Sequence, residues 1–129
     1  MDAAQAIADL TEISPQVRNV VALAADGAPT GSNLADAAAQ RLADGARRLL
    51  DAAEAMRHGV QQLEAATLVG SVFVVRDGER LIAATTTPEP TVGLVFYDLK
   101  TCLRSIDEPA KPAPKRKASA KTSGDDAAA

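Results

Sequence analysis

At 129 residues, 47% hydrophobic but only 2% aromatic, the chain has room for one small domain and a tail, with a core drawn from Val, Leu, Ile and Ala. One cysteine, Cys102, excludes an intrachain disulfide, and no Cys/His spacing suits a metal, so neither a metal nor another cofactor is expected. The start, "MDAAQAIADL", has no basic leader, and no run approaches the ~18 apolar residues of a membrane span, so a cytoplasmic protein is expected.

Charge is unevenly spread. Residues 1–106 carry nine Lys/Arg and thirteen Asp/Glu, a balance of −4, whereas residues 107–129 carry five and four, a balance of +1. The basic stretch "KPAPKRKASAK" holds Lys111, Lys115, Arg116, Lys117 and Lys121 among prolines and alanines. With almost no large apolar side chains, this segment cannot offset its ordering entropy. The expected boundary is Ile106/Asp107: a domain over 1–106 and a disordered Pro/Ala/Lys-rich tail over 107–129.

In chain order, "DAAQAIADLTEI" reads as a helix. Asp2 and Gln5 fit a capping box, Ala3, Ile7, Leu10 and Ile13 line one face, and Ser14-Pro15 ends it. Val17 to Ala24 is a short, nearly continuous apolar run, which predicts a buried strand. The glycines that follow, in "ADGAPTGSN", raise the question of a phosphate cradle. A Walker loop needs two glycines with four residues between them followed by Lys and Ser/Thr, whereas Gly27 and Gly31 have three, and a dinucleotide fingerprint needs G-x-G-x-x-G. Neither is present. Asp26-Gly27 instead predicts a hairpin turn, and "APTGS" a short return strand whose Pro29 suits a sheet edge. Ser32 or Asn33 is then expected to cap the next helix.

That helix is predicted over Leu34–Met56. Leu34, Ala38, Leu42, Gly45/Ala46, Leu49, Ala53 and Met56 form a stripe at three-and-four spacing. Ala35, Ala39, Leu50 and Ala52 make much of the remaining surface small or apolar. A helix with two apolar faces has two things to bury against: a sheet with loops, or a sheet and a partner helix. Gly45, which costs about 1 kcal/mol against Ala in mid-helix, suits close approach at a helix crossing.

"VQQLEAATL", Val60–Leu68, predicts a strand of mixed polarity. "GSVFVVRDGERLIAATTT" predicts a hairpin: Val72–Arg76, an Asp77-Gly78 turn, then Arg80–Thr86. After "TPEPT", "VGLVFYDLKTCLRSI" predicts a final helix with Thr91 as cap and Val92, Val95, Leu99, Leu103 and Ile106 buried.

No catalytic constellation emerges, so an enzyme is not expected. Asp36, Asp44, Asp51 and Glu54 sit at spacings typical of a solvated helix face. His58 lies where the long helix should end, Cys102 reads as a small apolar residue on a helix face, and Thr85–Thr87 as a strand end. Arg47 and Arg48 either pair with Asp44 or Asp51 one turn away or present charge to a partner. The tail supports either simple solvation or binding to an acidic surface. Without stacking aromatics, specific nucleic-acid recognition is not expected.

The order α-β-β-α-β-β-β-α resembles the Roadblock/LC7 domain over Ala3 to Ile106. The likeness rests on the first helix, "ISPQVRNVVALAADG", the long helix, and "VFVVRDGERLIAATTTPEPTVGLVFYDL". The short, proline-bearing "APTGSN" departs from the pattern. The chain is especially similar to the bacterial, actinobacterial-type branch, often partnered with Ras-like GTPases. The resemblance implies an α+β fold: a five-stranded antiparallel sheet, the long helix on one face, the two terminal helices on the other. It implies a homodimer paired through the long helix and the Val60–Leu68 strand, with Leu42, Gly45, Ala46, Leu49 and Ala53 at the seam. It also implies that Arg41, Asp44, Arg47, Arg48 and Asp51 meet a small Ras-like GTPase. The expected function is a non-catalytic regulator or scaffold of that GTPase. The alternative is a structural adaptor docking proteins, anionic membrane or nucleic acid through the basic tail.

Overall fold

In the computed structural model, which describes residues 1–107, the elements are α1 (Ala3–Ile13), β1 (Val17–Leu23), β2 (Pro29–Ser32), α2 (Asp36–Met56), β3 (Gln62–Thr67), β4 (Gly70–Asp77), β5 (Arg80–Thr86) and α3 (Val92–Ser105). The five strands form one antiparallel sheet in the order β2-β1-β5-β4-β3, so β2 and β3 are its edges. Except for Asp107, the predicted tail and its five basic residues lie outside the described residues.

Local chemistry sets the element ends. The Asp2 carboxylate accepts the Gln5 backbone N–H at 2.8 Å, capping α1. The Gln5 side chain turns to Asp9 instead, so only half of the capping box forms. Ala3, Ile7 and Leu10 are buried as expected. Ile13 is 69% exposed, because as the last residue of α1 it lies where the buried stripe runs out. Gly27 takes φ +88° in the β1–β2 turn, closed by the Gly27 N–H to Ala24 and the Ala24 N–H to Ala28. The glycine segment is a turn. At Gly31 a Cβ would lie 2.6 Å from that of Ala3, so glycine lets α1 settle against β2.

Two expectations about the next boundary change. Neither Ser32 nor Asn33 caps α2; the helix starts at Asp36 behind Ala35, with no side-chain cap. Ser32 Oγ donates to the Val20 carbonyl. The Asn33 amide accepts from the Val20 N–H at 2.8 Å and donates to the Arg18 carbonyl at 2.7 Å. Both side chains therefore extend the β2 pairing along β1 and are not free to cap.

Strand alternation divides the core in two. Toward α1 and α3 point Val20, Ala22, Phe73, Val75, Ile82 and Ala84, with Ile7, Leu10, Val95, Leu99 and Leu103 packed on them. Phe96 meets Phe73 edge-to-face at 4.9 Å between centroids. Toward α2 point Val21, Leu23, Val74, Leu81 and Ala83, covered by Ala39, Ala43, Ala46 and Leu50. The long helix thus lies on one face and the terminal helices on the other. Among the described residues, no helix is long and apolar enough to cross a membrane.

Candidate self-association and partner surface

The surface of α2 divides into three strips. Ala39, Ala43, Ala46 and Leu50, spaced four, three and four, are buried on the sheet. The stripe expected to be apolar is its neighbour: Ala38, Leu42, Gly45 and Ala53 are half-buried, Leu49 is 36% exposed and Met56 86% exposed. Of the five residues expected at a dimer seam, Leu42, Gly45, Leu49 and Ala53 lie on this open flank. Ala46 does not; it is 1% exposed and packs in the cluster of Val21, Val74 and Ala83. Small residues fill two adjacent strips of α2, and only contact with the sheet decides which one is covered. Beyond its chain neighbours and the backbone of its own helix, nothing lies within 4 Å of where a Gly45 Cβ would be, so the middle of the flank is open space.

The flank and β3 belong to one surface, since Leu42, Val60 and Leu63 all pack against the same core cluster. β3 pairs only with β4 among the described strands, which leaves its outer edge open. Gln62 and Glu64 are exposed, and Glu64 accepts from Ser71 Oγ at 2.7 Å. Beyond β3, Leu68 and Val69 are 99% and 83% exposed at the hairpin tip.

The polar strip carries the expected partner residues. Arg41, Asp44, Arg48 and Asp51 are exposed at three-and-four spacing with alternating sign, and Asp44 accepts from the Gln40 side chain at 2.9 Å. Arg47 is half-buried and leans away from them: its Nη2 lies 3.5 Å from where a Gly27 Cβ would be. The structure therefore groups four of the five and sets Arg47 over the β1–β2 turn.

Glu54 is not the solvated charge its spacing suggests. Its carboxylate accepts the N–H groups of Gly59 (2.8 Å) and Val60 (3.1 Å), with His58 Nδ1 at 2.7 Å and Arg76 Nη2 at 3.8 Å. The backbone hydrogen bonds lead, with His58 and Arg76 adding to them, in holding the Glu54 carboxyl below its ordinary value. Glu54 thereby fixes the turn from α2 into β3. The Glu54–His58 spacing of four just before Gly59 was the available signal for this role.

The remaining candidates are structural. Burial pushes the Cys102 thiol up to about 11, which keeps it protonated and unreactive. Thr86 is buried and accepts the Ser71 N–H at 3.2 Å, and Thr85 donates to Asn19. Among the described residues no group of His, Cys, Asp and Glu is placed to hold a metal.

No family model matches the sequence, and no curated protein matches it either. Solved structures do match. The Roadblock/LC7 domain from Streptomyces avermitilis superposes with a TM-score of 0.70 at 18% identity, over 81% of this chain and 94% of that one. Myxococcus xanthus MglB matches at 0.61 and 14% identity, over 79% and 82%. An MglB structure described as having a tetrameric arrangement matches at 0.62 and 15%, over 81% and 84%. With three helices and a five-stranded antiparallel sheet that superpose on these structures over most of their length, the chain folds as a Roadblock/LC7 domain.

Proposed function

We propose that this chain is a non-catalytic homodimer that regulates or scaffolds a small Ras-like GTPase. The observation that carries self-association is the open apolar flank of α2, from Ala38 through Leu42, Gly45 and Leu49 to Met56, beside the unpaired edge of β3. An exposed strand edge and an exposed apolar helix stripe are both liabilities in a monomer, and one second copy covers both. Similarity to MglB, including a tetrameric arrangement, supports self-association. The GTPase partner rests on the family resemblance.

In such a dimer the exposed ridges of Arg41, Asp44, Arg48 and Asp51 from two α2 helices form the docking platform. Alternating charge at its centre favours one register over others. The dimer acts on a GTPase only as far as it binds one switch conformation more tightly than the other, and so shifts hydrolysis or exchange.

Light scattering after gel filtration tests the reading, on wild type and on a Gly45→Glu/Leu49→Glu variant. The expected result is a wild-type dimer and a variant monomer with unchanged circular dichroism, followed by loss of GTPase capture in the variant. A wild-type monomer at micromolar concentration removes the composite surface and the proposal with it.

A further inference from the structure

A second feature lies on the α2 side of the sheet, beyond the cover of α2. Val72 and Thr85 pair across β4 and β5, and each stands two residues from Val74 and Ala83, which α2 buries. Alternation therefore turns Val72 and Thr85 to the α2 side, with Thr67 of β3 beside them. Here a cavity of about 340 Å³ opens, walled by Val69, Val72, Thr67, Thr85 and Arg18. The Thr67 and Thr85 hydroxyls are already turned to Gly70 and Asn19, so they add little polarity to the wall beside Val69 and Val72, and Arg18 is the one charged residue that lines it. At the opposite end of the same surface, Met56 closes the apolar flank of α2 with 86% of its surface exposed.

Symmetry relates these two places. Identical edges pair about a two-fold axis, so two β3 strands meeting edge to edge run antiparallel. The start of one β3, with the C-terminal end of α2 just before it, then lies beside the end of the other. That end carries the Leu68-Val69 tip and the cavity. We infer that the cavity walled by Val69, Val72 and Thr67 is a socket for Met56 of a second copy, used twice in the dimer. Methionine suits the role: it is unbranched, flexible and apolar, and fits an irregular aliphatic recess. The exposed Met56 and the exposed hairpin tip are then two halves of one contact, each incomplete without the other chain.

This inference rests on the homodimer proposed above, and its test separates the two. A Met56→Cys/Val69→Cys variant is oxidised mildly and run on a non-reducing gel, alongside each single variant. An equimolar mixture of the two singles is included. Within one chain Met56 precedes β3 and Val69 follows it, and that six-residue strand spans roughly 20 Å, so a bond between them is expected to join two chains. The buried, protonated Cys102 contributes no background. The expected result is a dimer band, removed by reductant, in the double variant and the mixture but in neither single variant. Wild-type dimer by light scattering without that band overturns the socket while leaving the homodimer intact. Wild-type monomer overturns both.

Discussion

On one side of the sheet, two helices bring Ile7, Leu10, Val95, Leu99, Leu103 and the Phe73–Phe96 pair into a layer of large side chains. On the other side a single helix rests on Ala39, Ala43, Ala46 and Leu50. The same strands supply both faces, and Val, Ile and Leu dominate each, so the difference lies in the helices. A methyl-lined contact lets α2 sit close to the sheet but covers little width, and β3 and the end of β4 stay open beside it. Large side chains on two helices cover more of the other face. A domain of this size can therefore bury one face under two helices and leave part of the other uncovered.

Core truncation gives the largest expected effect. Phe73→Ala removes the one aromatic ring fully buried among the described residues, with its contact to Phe96, and should cost about 3–5 kcal/mol in urea unfolding. A much smaller loss would mean that the two-helix face is loosely packed, and the contrast between faces would fail. The alanine contact is probed by neighbouring substitutions in a Leu49→Glu background, which keeps self-association from contributing. Ala46→Leu forces three extra carbons into a closed helix–sheet contact and should cost about 1–3 kcal/mol. Gly45→Ala, facing open space one residue earlier, should instead stabilise by about 0.5–1 kcal/mol. If both substitutions destabilise alike, the open flank is misplaced.

The smallest effect concerns the link between α2 and β3. Because the folded-state carboxyl of Glu54 titrates below its ordinary value of 4.5, its contribution is fully present above that value. It is lost as pH falls through the lower folded value. Urea midpoints measured from pH 7 downward should fall over that acid window, and Glu54→Gln should flatten that part of the curve. An unchanged acid limb in Glu54→Gln would show that the Gly59 and Val60 hydrogen bonds add no stability.

Much of the fold was legible in the residues because its signals are local. Asp2 names its own cap, Asp26-Gly27 and Asp77-Gly78 name two hairpin turns, and strand and helix periods separate cleanly around them. Ser32 and Asn33 misled because a capping residue and an edge-extending residue are chemically the same, and only the nearness of Val20 and Arg18 chose between the roles. Glu54 was read as solvent-facing because its partners, apart from His58, are backbone groups and an arginine on another element.

The candidate surface was half legible. Three-and-four spacing marked α2 as apolar on more than one side, and Leu42, Gly45, Leu49 and Ala53 do fall on its open flank. Ala46 lies on the neighbouring strip that the sheet buries, and adjacent stripes of small residues differ by less than a third of a turn. Periodicity measures the width of an apolar face but not its direction. The order of elements, their turns and the presence of an oversized apolar surface on α2 each follow from nearest neighbours along the chain. Long-range packing sets which strip the sheet covers, the departure of Arg47 from the charged ridge, and the cavity at one end of β3 with an exposed Met56 before the other. Those depend on where strands far apart in sequence place the surface that the helix meets.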